Sequence, residues 1–566
     1  MKTKNFYLSL LMIAFIGILS TSCSSKLTPL TPSHFNVTPT PLETVGNEVP
    51  VSINGMFPEK WFNSHATVVV TPVLKYAGKE AIGTSYTYQG DKVAGNGIVI
   101  HKNRGGNLAM NMKFEYEPEM RESELFLRFN AKIKNKTVEL PEVKVADGVV
   151  ATSALASAHN TEPSIAQDAF QRIIQQKQDA NILFLIEQSN LRSSELSKSE
   201  LAAWKRRVKE AYDDERQNVD IEISAYASPD GKLSLNERLA AEREKRTSAY
   251  LGDEMKKQEV NAQINARYTA EDWEGFRQLV EASNLQDKDL VLRVLSMYED
   301  PETREREIKN ISVVFEELAE TILPQLRRSR LTANIEIIGK SDDEIMSFWK
   351  NNPNELNIEE LMYAATLTDD RTEQEKIYQY LTANYSQDYR AWNNIGTNFF
   401  RAGEFDKAMQ AFNRALQVKS DAPEAYTNLA LLALSNNETD KAEELLGRAA
   451  GAKDLEQTMG LLFLKNGEYS KAVEAFGDVK TNNAALAQIL TNNYNRASEI
   501  LNDIKNPDAT TAYLLAVIAA RTNNFNDVSA HLNTAIERDS AMRALAASDL
   551  EFAKYRSNAA FQSIIR

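Results

Sequence analysis

The stretch that decides the fold of the central region is residues 221–251, IEISAYASPDGKLSLNERLAAEREKRTSAYL. From Val219 to Ala225, apolar residues alternate with polar ones, which is the period of a half-buried strand. Pro229-Asp230-Gly231 has the composition of a turn, and the residues from about Leu233 to Leu251 are typical of a helix. The stretch therefore predicts a strand, a turn and a helix in succession.

Flanking residues extend this pattern to an α/β domain at 165–340. Ser199 is a good N-cap for a helix whose apolar positions follow helical spacing. An additional helical stretch is predicted at about 271–325. Further strands are predicted at Ile182–Ile186, Ala262–Tyr268 and Leu331–Ile338. The expected architecture is one sheet with helices on one face.

The segment after the turn resembles the outer-membrane protein A (OmpA-like) type of peptidoglycan-binding domain. Its signature is a strand, a loop with Thr-Asp, and a helix carrying Asn, Leu, Ser and Arg at fixed places. Asn236, Leu239, Ala240 and Arg243 occupy those four places. The resemblance covers roughly 180–270 and the last strand. It implies a pocket for the diaminopimelate residue of the cell-wall stem peptide, in which Arg binds the carboxylate and the loop Asp binds the ammonium.

The residues themselves favour an anion near the start of the helix. Asn236 and Arg243 are seven positions apart, so two helical turns bring them to nearly the same face. A helix N-terminus attracts carboxylates, and an arginine fork pairs with them through two hydrogen bonds. At the family's Asp position the chain has Ser228, which cannot neutralise an ammonium, although Asp230 could supply the charge. The predicted ligand site is Ser228, Asp230, Asn236 and Arg243.

A second interpretation of this region remains open. Arg243 could pair with Asp230 or Glu242, and the domain would then serve only as a docking module. A cluster of three arginines favours a solvated basic face over an extension of the anionic contact. These are Arg327, Arg328 and Arg330.

The C-terminal part, about 355–566, contains no strand signal and repeats itself. One set of residues recurs 34 positions later, and looser copies follow. The set is Trp392, Ile395, Gly396, Phe399, Ala408, Phe412 and Ala415, followed by Tyr426, Leu429, Ala430, Ala433, Ala442, Leu446 and Ala449. This is similar to the tetratricopeptide repeat (TPR), an all-α solenoid in which small residues let two helices cross closely. The resemblance implies a right-handed superhelix whose concave face accepts a peptide or helix of a protein partner, with Asp549–Arg566 as a capping helix.

Residues 48–150 predict an all-β domain. Apolar residues alternate with polar ones from Met110 to Tyr116 and from Leu125 to Ile133, and glycine-rich breaks separate the strands. A small antiparallel sandwich is the expected fold. It offers no constellation of catalytic residues, so an adhesion or spacer role is expected.

The N-terminus resembles a bacterial lipoprotein leader. Lys2 and Lys4 precede an apolar run of about 12 residues, which is shorter than the roughly 20 of a spanning helix. Residues 1–22 are the predicted signal peptide, and Cys23 is the predicted lipidation site. An uncleaved signal anchor is the alternative. Residues 23–47 are rich in Pro and Thr and predict a tether, and the absence of an acidic cluster after Cys23 favours the periplasmic face of the outer membrane.

Composition excludes several classes of protein. The chain has 566 residues, a formal charge of −14 and one Cys, so nucleic acid is not an expected partner and no intrachain disulfide can form. The five His are scattered without ligand spacing, and no nucleotide or hydrolase motif is visible, so we expect no metal, no cofactor and no enzymatic activity.

Two functional hypotheses follow from these patterns. The first is a lipid-anchored envelope protein that links the outer membrane to peptidoglycan and holds a protein partner on its repeats. The second is an interaction scaffold of a secretion or surface-fibre assembly without peptidoglycan binding.

Overall fold

The computed structural model describes residues 27–285 and 287–566. It forms two compact units, of which one comprises the chain up to Gln167 together with Asp370–Arg566, and the other comprises Asp168–Asp369. The predicted signal peptide and the lipidation site at Cys23 lie outside the described residues. Within the described part of the chain, no helix combines the length and the apolar character that crossing a membrane requires.

The N-terminal region is rich in β-structure, as predicted. One sheet has the order β1-β3-β8, and a larger one has the order β10-β9-β4-β6-β7, with β5 and β11 paired to its members. The strands are β1 Phe35–Thr38, β2 Leu42–Glu43, β3 Glu48–Phe57, β4 Ala66–Tyr76, β5 Lys79–Ile82, β6 Tyr86–Gly90, β7 Ile98–Ile100, β8 Gly106–Glu115, β9 Glu124–Ile133, β10 Lys136–Glu139, β11 Val143–Asp147 and β12 Val149–Val150. Alternate residues of both sheets, such as Ile53, Val70, Met110 and Leu127, share one buried core.

The predicted tether is wrong for residues 27–47. Strand β1 pairs antiparallel with β3, and β2 pairs with β12, so this segment belongs to the β-region. Leu27, Leu30 and Leu42 are buried in the same core. Composition misled the prediction, because a few leucines and valines between the prolines suffice to attach the segment to an existing sheet.

The second unit contains a four-stranded sheet with the order β13-β16-β14-β15. Its strands are β13 Ile173–Leu183, β14 Gln217–Tyr226, β15 Gln263–Thr269 and β16 Arg328–Ile338. Strand β14 runs antiparallel to β16 and parallel to β15. The first strand begins earlier than predicted, because β13 pairs with β16 along a polar run that shows no apolar alternation.

Among the described residues of this unit, two long helices pack against the sheet, and five shorter ones form an insertion. The helices are α1 Ser193–Leu196, α2 Ser199–Asp213, α3 Leu233–Lys257, α4 Trp273–Ala282, α5 Lys288–Met297, α6 Pro301–Asn310, α7 Ser312–Thr321, α8 Leu323–Leu326, α9 Asp342–Asn351 and α10 Ile358–Ala364. Trp204 of α2 and Leu251 of α3 are buried against the sheet. Helices α4–α8 lie between β15 and β16 in the chain, as predicted, and have a core of their own around Phe276 and Leu318. The unit extends past the predicted boundary near 340.

The C-terminal region consists of consecutive helices, each of which packs against its neighbour in the chain. They are α11 Arg371–Asn384, α12 Tyr389–Arg401, α13 Phe405–Val418, α14 Pro423–Ser435, α15 Thr439–Leu446, α16 Leu455–Lys465, α17 Tyr469–Phe476, α18 Asn482–Leu490, α19 Tyr494–Asn502, α20 Ala509–Arg521, α21 Phe525–Arg538, α22 Ala541–Ser548 and α23 Ala559–Ile565. Short loops of the kind found between helices of a hairpin connect them. The single capping helix predicted at Asp549–Arg566 is instead a 3-10 turn at Leu550–Tyr555 followed by α23, and Phe552 and Phe561 in these two segments are buried.

Candidate functional site

The four residues of the predicted ligand site line one small cavity of the second unit. Ser228 and Asp230 lie in the loop after β14, and Asn236 and Arg243 project from α3. The cavity measures about 50 Å³. Pockets that enclose a whole small molecule measure roughly 300–1,000 Å³, so this one has room only for the end of a side chain or a few water molecules.

The Arg243 guanidinium is bound by main-chain carbonyls. Its Nε and Nη2 donate to the carbonyl of Gln188 at 3.0 and 2.9 Å, and Nη1 donates to that of Tyr226 at 2.8 Å. A weaker bond of 3.3 Å joins Nη2 to Leu185. The guanidinium also lies over the ring of Phe184, 5.0 Å from its centroid. These bonds tie the loop after β13 to the end of β14.

Burial dominates the electrostatics of Arg243, which is 1% exposed. Loss of hydration, with a further contribution from the nearby charge of Arg327, lowers the pKa of Arg243 to about 10. The carboxylate partners considered from the sequence are engaged elsewhere, since Glu242 accepts a hydrogen bond from Ser189 at 2.8 Å. The geometry is that of a structural arginine, and it does not favour the predicted role of an open carboxylate receptor.

Asp230 pairs with Arg327 instead. Arg327 Nη2 lies 2.9 Å from Asp230 Oδ2, and its Nε donates to Ser228 Oγ at 3.0 Å. The Ser228 hydroxyl in turn donates to Asp230. All three side chains are largely buried. Ser228 therefore helps to hold the carboxylate, and an internal cation satisfies the charge that was predicted to meet a ligand ammonium.

Asn236 holds the turn closed at the start of α3. Its Nδ2 donates to the carbonyl of Gly231 at 2.9 Å and to Glu271 at 3.2 Å. Lys309 of α6 donates to the main-chain carbonyl of Asp230 at 3.1 Å. The turn is thus fixed from its own helix and from the helical insertion.

Arg327 is the cavity residue whose place was not predicted. The sequence favoured a solvated basic face for the arginine cluster, and this is wrong. Arg328 pairs with Asp272 at 2.9 Å and Arg330 donates to the Tyr226 hydroxyl at 3.0 Å. The position of Arg327 could have been predicted only from the order of the strands. Pairing of Ala225 with Ser329 places residue 327 beside the loop after β14.

The helical hairpins of the C-terminal region cross closely at glycine. A Cβ atom on Gly396 of α12 would lie 2.5 Å from the Phe412 ring of α13. A Cβ atom on Gly460 of α16 would meet Phe476 of α17 in the same way, at 2.7 Å. Glycine on the first helix therefore makes room for an aromatic ring on the second, which is the packing predicted from the repeat.

A sequence model of the tetratricopeptide repeat matches residues 375–423 and 393–455. The C-terminal region contains tetratricopeptide repeats. Tetratricopeptide repeats imply a scaffold for protein interaction. The helices that follow the matched residues continue the same pairing of consecutive helices.

Several solved structures match parts of the chain at low identity. A tetratricopeptide repeat protein from Parabacteroides merdae is 15% identical, with 36% of this chain and 89% of that chain covered and a TM-score of 0.29. Pseudomonas aeruginosa pilF is 12% identical, with 40% and 98% covered and a TM-score of 0.24. Yeast Tom70 is 12% identical, with 59% and 78% covered and a TM-score of 0.25. Among curated proteins, no sequence matches the chain significantly.

Proposed function

We propose that the protein is a non-enzymatic scaffold of the bacterial cell envelope, attached to the outer membrane through lipid on Cys23. The observation that carries the scaffold role is the series of tetratricopeptide hairpins with close crossings at Gly396 and Gly460. Support for the envelope location comes from the sequence, where a short apolar leader ends at the only cysteine. Several acyl chains, at about 0.8 kcal/mol per buried CH₂, would make the attachment effectively permanent.

Lipid attachment is tested by following the chain in cells. Wild-type protein is expected in the membrane fraction, labelled by palmitate, while Cys23→Ala is expected as an unlabelled precursor with its leader uncut. Wild-type protein that is processed and free of membrane would contradict the anchor.

Attachment to peptidoglycan is the second candidate function. The observation that favours it is the convergence of Ser228, Asp230, Asn236 and Arg243 on one cavity, which Arg327 also lines. Two guanidinium groups and two carboxylates, those of Asp230 and Glu187, line the cavity, so a zwitterionic end group would find a partner of opposite charge for each of its own charges. A diaminopimelate end group would have to exchange with the Arg327–Asp230 pair, with its carboxylate at Arg327 and its ammonium at Asp230.

Sedimentation with insoluble peptidoglycan sacculi separates the two candidates. A scaffold without wall binding leaves the full chain in the supernatant. Wall binding carries it to the pellet, and Arg327→Gln then releases it, because that change removes a cation from the cavity. Arg330→Gln is the matched control, since Arg330 lies three residues further along the chain, on β16, and does not line the cavity.

A further inference from the structure

Three asparagines of the tetratricopeptide helices each make two hydrogen bonds to the segment that follows the β-region, and a fourth, Asn393, adds one more. Asn483 of α18, Asn428 of α14 and Asn394 of α12 each project from the first helix of a hairpin. Each is 1% exposed, although an asparagine side chain is normally solvated. We call these three residues the asparagine ladder and residues 157–167 the linker.

Each asparagine of the ladder exchanges two hydrogen bonds with the main chain of one linker residue. Asn428 Oδ1 accepts from the Ser164 N–H at 2.7 Å, and its Nδ2 donates to the Ser164 carbonyl at 2.8 Å. Asn394 does the same with Ala166, with both distances 2.9 Å. Asn483 does so with Ser157, at 3.1 and 2.7 Å. The three side chains thus satisfy linker amides that are not paired in a sheet or a helix.

The ladder recognises extended main chain and small side chains. Asn394 and Asn428 stand 34 positions apart, at the same place in successive repeats, and they bind alternate linker residues. Ser164 and Ala166 are both buried, so a larger side chain at either position would clash. Outside these contacts, the linker adds an ion pair between Glu162 and Arg401 at 3.0 Å. The surface has the properties of a peptide-binding site.

We infer that the asparagine ladder is a site for an extended peptide of a partner protein, and that the chain's own linker occupies it, so that a partner peptide enters only by displacing the linker. A tethered ligand acts at an effective concentration of the order of millimolar. A free peptide of equal affinity at micromolar concentration is therefore excluded while the linker is seated. The inference adds a form of regulation to the scaffold role, and it does not depend on the envelope location or on peptidoglycan.

Displacement is tested with a fluorescein-labelled peptide of residues 155–167, LASAHNTEPSIAQ, and the full chain. Ser164→Pro with Ala166→Pro removes the two N–H groups that Asn428 and Asn394 accept, and so opens the site. We expect the opened chain to bind the peptide at least about 100-fold more tightly than wild type. Adding Asn394→Ala and Asn428→Ala to the opened chain should abolish binding. Gln167→Ala, which changes an exposed side chain of the linker and keeps every main-chain pair, should behave as wild type.

Hydrogen exchange of the wild-type chain tests the seated linker without any variant. We expect the amides of residues 157, 164 and 166 to exchange at least about 100-fold more slowly than in the free peptide, because each is buried and paired. Exchange at the rate of the free peptide would overturn the inference. A protected linker together with a correctly folded opened chain that binds no peptide would also overturn it, and would leave the ladder as a structural tie only. If the opened chain does not fold, hydrogen exchange of the wild-type linker is compared with and without excess peptide. Displacement should leave a fraction of the linker amides unprotected when peptide is present. Linker amides that stay equally protected would overturn the inference.

Discussion

Asn394 and Ala166 exchange two hydrogen bonds of 2.9 Å, although 228 positions separate them in the chain. One side-chain amide thereby pairs with the N–H and the carbonyl of a single residue, as a neighbouring strand would. The linker and the repeats consequently belong to one folded unit.

Replacement of Asn394 by alanine should destabilise that unit. The change leaves the buried N–H and carbonyl of Ala166 without partners, at a cost of about 2–4 kcal/mol. Asn398 is the matched control, because it lies one turn further along α12 and is also buried, yet its amide has no hydrogen-bond partner among the described residues. We expect Asn398→Ala to be neutral or stabilising. The denaturant midpoint of the full chain measures the effect of each substitution. Equal effects of Asn394→Ala and Asn398→Ala would contradict the role of Asn394 in binding the linker.

Arg243 should contribute to the stability of the second unit. Arg243→Ala leaves the carbonyls of Gln188 and Tyr226 unpaired, and we expect a loss of about 3 kcal/mol in the second unit. Arg243→Lys should recover little, because an ammonium cannot reproduce the planar fork. Arg238→Ala, at an exposed position of the same helix, is the control and should change stability by less than about 0.5 kcal/mol. Thermal unfolding that is unchanged by Arg243→Ala would contradict this account and would restore the open receptor.

Because α12 and α13 cross closely at Gly396, any side chain at this position should destabilise the repeats. Its Cβ would press on the Phe412 ring, so Gly396→Ala should destabilise the repeats by about 1–3 kcal/mol. Combining it with Phe412→Leu should recover part of the loss. Gly252→Ala on α3 has open space around the new Cβ and should stabilise its own unit by about 0.5–1 kcal/mol. Thermal unfolding followed by helical content tests Gly396→Ala and Gly252→Ala. Equal effects of the two substitutions would contradict the close packing of Gly396 against Phe412.

Asp549 should make the stability of the first unit depend on pH. Burial raises the pKa of Asp549 above its ordinary value of 3.8, and Tyr513 donates to its carboxylate at 2.6 Å. The folded state therefore holds the proton more tightly than the unfolded state, so the cost of the buried charge is fully present above the raised pKa. As the pH falls from that raised pKa towards 3.8, this cost disappears.

Comparison with Asp549→Asn measures this dependence. The variant lacks the buried charge, so its stability relative to wild type should be highest at pH 7. It should decline on acidification by about 1.4 kcal/mol for each unit by which folding raises the pKa. Asp539→Asn, which changes an exposed carboxylate, is the control. A difference between wild type and Asp549→Asn that stays constant from pH 7 to pH 4 would contradict the assignment.

Local periodicity predicted most elements of the fold. The strand, turn and helix of residues 221–251 and the spacing of Gly396 and Phe412 are local patterns, and the structure follows them. Residues 27–47 were mispredicted, because pairing of β2 with the distant strand β12, Leu42 with Val149, overrides a composition rich in proline and threonine. Such pairing depends on residues far away in the sequence.

The sequence predicted which residues form the candidate site, but it did not predict the hydrogen bonds and ion pairs that they make. Spacing on α3 placed Asn236 and Arg243 on one face, and both line the cavity. Spacing gives no information on which carbonyls surround Arg243 or which cation reaches Asp230, since Gln188 and Arg327 come from distant parts of the chain. The asparagine ladder was missed for the same reason, because an asparagine in a helix reveals its partner only when the linker is in place.

The size of the assembly that the protein enters tests the scaffold role most directly. The chain should be extracted with mild detergent from the membranes of cells that produce it with Cys23 intact, and its protein mass measured by light scattering after size exclusion. We predict a discrete complex whose protein mass exceeds the 63.6 kDa of the chain and includes at least one other protein. A protein mass no greater than that of one chain, which is below 63.6 kDa once the leader is cut, in membranes where its lipid is present, would contradict the scaffold.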